Sequence, residues 1–184
     1  MKRLLCLLLL VSASLITPAC KKNKPAINQL PPETQTGAST FGCLVDGKVF
    51  KPKGDPFGGP ILSCAYQYVN GGYYLQLFAK RDESATVPTV NSVSIGTDSL
   101  MIEEGKVYRL TTERKGTTIG QYSSYTNNGF IRYFTNDLLQ GEIFIKKFDQ
   151  INRIISGTFW FDAVNPNGEK VEVREGRFDM NYTL

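Results

Sequence analysis

The 184-residue sequence contains no histidine, one tryptophan and four cysteines. Without histidine, the chain has no imidazole to act as a general base, to complete a Ser-His-Asp or Cys-His arrangement, or to bind a metal ion. The cysteines form no Cys-x-x-Cys pair of the kind used in redox or zinc chemistry. No glycine motif of a phosphate-binding or dinucleotide-binding loop is present. We therefore expect no cofactor and no metal site.

Long apolar runs are also scarce, and the longest stands near the first residue. A basic pair, Lys2 and Arg3, precedes an apolar run that is too short to span a bilayer as a stable helix. Small residues and then Cys20 follow this run. The order predicts a signal peptide over 1–19 and lipidation of Cys20, and it leaves ordinary secretory cleavage after Ala19 as the alternative.

The other cysteines support lipidation of Cys20. Cys6 leaves with the signal peptide, and acylation of Cys20 then leaves Cys43 and Cys64 as an even pair in an oxidising compartment. We expect these two residues to form a disulfide that closes a loop of about 20 residues. The alternative is that both are buried thiols that act as small apolar core residues.

Residues 20–39 lack hydrophobic periodicity and are rich in proline, threonine, asparagine, glutamine and lysine, which predicts a flexible, lipid-anchored tether. From Thr40 onward, 16 basic and 16 acidic residues balance each other. The net charge of +4 therefore comes from the export and tether segments. It does not argue for nucleic-acid binding, so the partner expected for these segments is the membrane.

Residues 40–184 have the pattern of an all-β domain, in which short aromatic and β-branched runs alternate with turn signals. We predict an antiparallel meander of about ten strands, arranged as a sandwich or a closed barrel. Near the C-terminus the apolar positions change from odd-numbered Val171 and Val173 to even-numbered Phe178 and Met180. This change of parity predicts a β-bulge at Glu175-Gly176.

Four segments resemble an uncharacterised lipoprotein family of the Bacteroidota. They are Leu-Pro-Pro-x-Thr-x-x-Gly at 30–37, Phe-Gly-Cys-Leu-Val-x-Gly-Lys at 41–48, Ile-Ser-Gly-Thr-Phe at 155–159 and Gly-Arg-Phe-Asp at 176–179. The resemblance implies an envelope lipoprotein with an all-β domain of unknown function, and it implies no activity. Surface lipoproteins of that group often carry acidic residues after the lipidated cysteine. Lysines stand there instead, which favours the periplasmic face of the outer membrane.

Tyrosines are the first candidate for a functional surface. Tyr66, Tyr68, Tyr73 and Tyr74 crowd one predicted hairpin, where aromatic faces could bind a glycan, a peptide or a small apolar ligand. Cross-strand packing is the simpler explanation of the same residues. Because neighbours on a strand point to opposite faces, at least one of Tyr73 and Tyr74 must point away from the core.

Two further hypotheses concern modification and catalysis. Asp98-Ser99-Leu100 matches the short O-glycosylation pattern that the resemblance implies, so Ser99 is a candidate for modification. Asp162, Glu172 and Asp179 are carboxylates from which a hydrolase could draw a catalytic pair. No catalytic arrangement is visible around them, so we expect a non-enzymatic binding or structural domain. A carbohydrate-active or other hydrolytic enzyme is the alternative.

Overall fold

The computed structural model describes residues 26–55, 59–84 and 89–184. The predicted signal peptide and the predicted lipidation site at Cys20 lie outside the described residues. Within the described ranges, no helix is long and apolar enough to cross a membrane.

The described residues form one short 3-10 helix, Ala26–Gln29, and eleven strands. The strands are β1 (Thr40–Val45), β2 (Lys48–Phe50), β3 (Leu62–Val69), β4 (Gly72–Ser84), β5 (Thr89–Thr97), β6 (Val107–Leu110), β7 (Thr118–Thr126), β8 (Gly129–Phe134), β9 (Gly141–Asp149), β10 (Ile154–Val164) and β11 (Lys170–Asn181).

These strands form one ring-like sheet, which confirms the predicted all-β fold. The order is β2-β1-β11-β10-β9-β6-β7-β5-β4-β3, and β8 pairs with β7 and β10. The sheet is mixed because β6 and β7 are parallel where Leu110 faces Thr118. Two single bridges, Lys53 to Arg81 and Ala65 to Thr183, bring the two ends of the strand order together.

Tight turns explain why consecutive strands pair. Asp46-Gly47 and Asn70-Gly71 each connect two strands directly, and all four residues have positive φ. Asparagine, aspartate and glycine tolerate this conformation, which gives the turn the same twist as the strands that it joins. Both dipeptides therefore form the tight hairpin turns that their residue types favour.

One continuous apolar core fills the space that the sheet encloses. Leu75, Leu77 and Ala79 of β4 are buried at every second position, as expected for a strand with one face on a core. The rings of Phe41 and Phe159 lie 5.3 Å apart within the same core. Because side chains occupy this space, the structure favours ligand binding at the surface over a small ligand at the centre.

The parity change in β11 is resolved by an irregular register, as predicted. The pairing of β10 with β11 shifts between Phe159 and Phe161, and Glu175 has a φ of 54°. A Cβ atom on Gly176 would lie 2.5 Å from the ring of Phe159, so only glycine fits there without displacing that ring. After this bulge, Phe178, Met180 and Tyr182 are buried in the core, while Arg177 and Asp179 point to the outer face.

The outer face of β11 is covered by residues 30–37, which we call the N-terminal strap. Leu30 is buried, and the backbone N–H groups of Thr36 and Gly37 donate to the Asp179 carboxylate at 2.9 and 2.7 Å. Asn181 donates through its side-chain amide to the carbonyl of Gly37. The strap therefore differs from the flexible tether predicted for 20–39, because its backbone is bound to side chains that are about 140 residues away.

The predicted disulfide is wrong, because Cys43 and Cys64 are free, buried thiols. Cys43 faces Phe50 across the β1–β2 pair, whereas Cys64 faces Leu77 across the β3–β4 pair. Since β1 and β3 are not paired with each other, each thiol packs among the apolar side chains of its own neighbours. Burial raises the pKa of both thiols, that of Cys64 to about 12.

Candidate functional site

Three of the four predicted tyrosines lie together at one end of the enclosed core. Tyr68 faces Tyr73 directly across the β3–β4 pair, with ring centroids 4.9 Å apart. Tyr66 stacks on Tyr73 at 5.3 Å with an angle of 10° between the rings. Exposure increases along this series, from buried Tyr66 through half-buried Tyr73 to Tyr68, which is 64% exposed.

Two further aromatic rings pack against Tyr66. Phe148 and Tyr182 contact Tyr66 edge-on, with centroids at 5.1 and 6.0 Å. The backbone N–H of Ile102 donates to the Tyr66 hydroxyl at 3.3 Å. Burial raises the pKa of Tyr66 and that of Tyr182, so both phenols stay neutral and can donate hydrogen bonds.

The tyrosines border a surface cleft of about 200 Å³, which we call the tyrosine cleft. Met101 and Leu184, both more than half exposed, form its apolar wall, and Gln150 supplies an amide. Among the described residues, no charged side chain lines it. The cleft is therefore a neutral site with apolar walls and several phenol hydroxyls. An uncharged ligand with apolar groups and a few hydrogen-bonding groups would fit it.

The outer edge of β3 lies beside the tyrosine cleft, and beyond Ala65 it has no strand partner among the described residues. β3 pairs with β4 on one side, and on the other side Tyr66 N–H donates to the carbonyl of Thr183. Alternation along the strand directs the N–H and C=O of Tyr68 toward the same outer edge. In the described part of the chain, the single bridge at Ala65 is the one pairing of this edge.

Tyr74 is separate from the other three tyrosines. It faces Gln67 across the β3–β4 pair, and its alternation with buried Leu75 places it on the outer face of the sheet. This confirms that one of Tyr73 and Tyr74 points away from the core. The Tyr74 hydroxyl lies 2.9 Å from the hydroxyl of Ser99.

Ser99, the predicted glycosylation residue, is half-buried and has a φ of 52°. Its hydroxyl donates to the Asp98 carboxylate at 2.9 Å, in addition to its contact with Tyr74. A Cβ atom on Gly72 would lie 2.7 Å from this hydroxyl, so the strand passes close above it. Attachment of a glycan would replace the hydroxyl hydrogen and so remove the hydrogen bond to Asp98. Glycosylation of Ser99 stays a prediction.

A second cleft, of about 360 Å³, lies on the outer face of β9, β10 and β11. Trp160 forms part of its floor and is 39% exposed, and Arg174 lies over the indole ring at 5.5 Å. We call this site the tryptophan cleft. No sequence motif marks this cleft, although the alternation of Ser156, Thr158 and Trp160 with the core positions of β10 places the indole on the outer face.

The three carboxylates considered for catalysis have structural partners. Asp162 and Glu172 are opposite each other on β10 and β11, and both contact the guanidinium of Arg174, at 2.5 and 3.5 Å. Asp179 is 1% exposed and binds the strap. Burial works to raise the pKa of Asp179, but the hydrogen bonds that it accepts outweigh burial and its pKa is lowered. The structure brings Asp162 and Glu172 together and leaves Asp179 apart from them.

Comparison with known proteins identifies a family but no activity. The family of the domain of unknown function DUF6252 matches residues 69–180. This range extends from the end of β3 into β11 and includes Tyr73 and Trp160. No curated protein and no solved structure matches the chain. Within the described ranges, no group of three or more side chains of the metal-binding types comes together.

Proposed function

The chain belongs to the DUF6252 family, a domain of unknown function, and on that premise we propose from its own geometry that it is a non-enzymatic, peptide-binding β domain. The single observation that carries this proposal is that the tyrosine cleft lies beside the outer edge of β3 at Tyr68, where the described residues supply no strand partner. An extended peptide would add a strand at Tyr68, and every second side chain would then lie against the cleft.

The side chains at this site support a peptide with neutral, apolar residues. Tyrosine and methionine are enriched in the cores of protein interfaces, where charged residues are depleted. Tyr68 and Met101 are 64% and 56% exposed, so a partner would remove a large apolar surface from water. The absence of a charged lining residue in the described ranges disfavours an acidic or a basic peptide.

The contacts of the carboxylates support a binding role over hydrolysis. A retaining or inverting glycosidase needs one carboxyl group that stays protonated near neutral pH and a second that is ionised. The Arg174 guanidinium contacts both Asp162 and Glu172, so these two carboxylates already have a structural partner.

Peptide selection tests the binding proposal. Immobilised protein would be used to select from a phage library of random heptapeptides, and the selected sequences would be synthesised and titrated by calorimetry. We expect apolar residues at alternating positions in these peptides. Tyr68→Ala should weaken binding by about 2 kcal/mol, the cost of a central interface tyrosine, which is about 30-fold in Kd.

Two variants make this experiment specific. Tyr125→Ala removes another half-exposed tyrosine, on β7, and should leave the affinity unchanged. Tyr68→Pro also removes the outward N–H, so it should bind less tightly than Tyr68→Ala. Selection of no peptide, or equal binding of a selected peptide to the wild type and to Tyr68→Ala, would reject the proposal.

We further propose that the domain is held in the cell envelope by a lipid on Cys20, on the periplasmic side of the outer membrane. The basic pair, the short apolar run and the position of Cys20 support this proposal. Labelled palmitate should enter the wild type and the Cys6→Ala variant, and Cys20→Ala should prevent labelling and release the protein from the membrane fraction. A labelled Cys20→Ala protein would refute lipidation at this residue.

A further inference from the structure

The tryptophan cleft is separate from the tyrosine cleft, and it lies on the opposite face of the sheet. Its floor is formed by Thr158 and Trp160 of β10, with Phe144 of β9 facing Thr158 across the strand pair. Glu33 of the N-terminal strap forms one wall, where it is ion-paired with Lys146. The cleft is therefore a groove between the strap and the outer surface of three paired strands.

The indole ring is held in place before any ligand arrives. The Arg174 guanidinium that lies over the ring donates to the carbonyls of Phe161 and Val173, both at 3.0 Å. It also contacts the Asp162 carboxylate at 2.5 Å. These contacts fix the position of Arg174 over Trp160, and a side chain that is already ordered loses little conformational entropy when a ligand binds.

Polar groups around the ring are available to a ligand. Across the described residues, the carboxylate of Glu142 and the hydroxyl of Thr158 have no side-chain hydrogen bond or ion pair, and both line the cleft. Arg177 makes long contacts, at 3.4 and 3.5 Å to the carbonyls of Glu175 and Pro31 and at 3.7 Å to the Glu175 carboxylate. The cleft thus offers hydrogen-bond acceptors and donors beside an aromatic surface.

Strand pairing disfavours a peptide at this place. β10 is paired with β9 through Glu142 and Trp160, and with β11 through Arg177 and Thr158, so its backbone groups already have partners. A ligand must therefore be recognised through side chains. The lining carries three carboxylates and two guanidinium groups, a nearly balanced set that disfavours a polyanion.

From these observations we propose that the tryptophan cleft is a binding site for a neutral saccharide. The apolar C–H face of a pyranose ring packs on the face of the Trp160 indole that Arg174 does not cover. Its hydroxyl groups donate to the carboxylate of Glu142, exchange a hydrogen bond with Thr158 and accept from Arg177. Charge-assisted hydrogen bonds of this kind are stronger than those between neutral groups, and they select a ligand with many hydroxyls.

Trp160 is the one tryptophan of the whole sequence, so intrinsic indole fluorescence reports on this cleft alone. The test titrates the protein with chitotetraose, maltotetraose, cellotetraose and laminaritetraose, up to about 10 mM, a concentration high enough to detect millimolar affinities. We expect at least one of these neutral tetrasaccharides to shift the emission maximum to shorter wavelength and to protect the indole from acrylamide quenching.

Variants then show whether the sugar binds in the tryptophan cleft, and calorimetry measures the affinity of each variant for the sugar. Each change is relative to the binding of the wild type. Trp160→Ala should weaken binding by about 30-fold, as expected for a central aromatic contact, and Glu142→Gln by about tenfold, as expected for one charged hydrogen bond. Tyr68→Ala should bind the sugar as tightly as the wild type, which separates this site from the tyrosine cleft. No response to any of the four sugars, or undiminished binding by a folded Trp160→Ala variant, overturns the proposal.

Discussion

Asp179 is a carboxylate that stabilises the protein by binding backbone donors. Its charge is 1% exposed, and the N–H groups of Thr36 and Gly37 satisfy it. We expect Asp179→Asn to lower the free energy of unfolding by about 2 kcal/mol at pH 7, because hydrogen bonds to a charged group contribute about 1.5–3 kcal/mol. Urea denaturation of the two proteins measures this difference.

The contribution of Asp179 to the free energy of unfolding should depend on pH. The pKa of Asp179 in the folded protein is below its ordinary value, since its hydrogen bonds outweigh burial. A lowered pKa contributes stability above the unfolded carboxyl pKa of about 3.9, and this contribution is lost as the pH falls through the folded pKa. The difference between wild type and Asp179→Asn should therefore shrink below about pH 4. Asp137→Asn, which removes an exposed ion pair with Arg114, is the control and should have a much smaller effect.

Cys43 and Cys64 should be unreactive in the folded protein. Burial raises the pKa of both thiols, and the thiol must be ionised and accessible to react. The test uses a chain that starts at residue 26 and a chromogenic disulfide reagent at pH 8. The reagent should label neither residue rapidly in the folded protein. It should label both residues when guanidinium unfolds the protein without a reductant. Two unreactive cysteines in the denatured, unreduced chain would show that the disulfide forms after all.

At the scale of single elements, the bulge in β11 decides which side chains of that strand reach the core. A Cβ on Gly176 would approach three ring atoms of Phe159 to within 2.6 Å. Because that ring is buried, we expect Gly176→Ala to destabilise the protein by about 1–3 kcal/mol, the usual cost of overpacking. A chemical denaturation curve measures this change.

Gly96→Ala provides a matched control for the bulge, because it also places a methyl group in a strand. The nearest atoms to a Cβ at Gly96 are 3.7 and 3.8 Å away, which is ordinary contact. The two variants therefore differ in steric overlap and not in strand propensity. Equal destabilisation by both would mean that the register at Gly176 tolerates a side chain.

At the scale of the whole molecule, contacts between distant parts of the chain close the sheet. β1 pairs with β11, and Thr183 bridges to Ala65 of β3, so the first and last strands depend on each other. We expect a single cooperative unfolding transition, in which Trp160 fluorescence and far-ultraviolet circular dichroism give the same midpoint. Separate transitions for the two signals would indicate that part of the sheet unfolds independently.

The sequence alone determined the all-β class, the two tight hairpins and the bulge at Glu175-Gly176. Each follows from local rules: side chains alternate across a strand, and Asn-Gly and Asp-Gly fit turns with positive φ. The same alternation was enough to place one of Tyr73 and Tyr74 outside the core. These features depend on residues that are close together in the sequence, so the sequence pattern alone is enough to predict them.

The features that join distant residues depend on the tertiary structure. The strap is polar and rich in proline like a linker, and its order comes from Asp179 and Asn181, which lie about 140 residues later. Cys43 and Cys64 remain thiols because strand order, which cysteine spacing does not specify, pairs their strands with different neighbours. Trp160 and Arg174 meet because both lie in the short stretch where the register of β10 and β11 shifts, and a register is a property of the folded sheet.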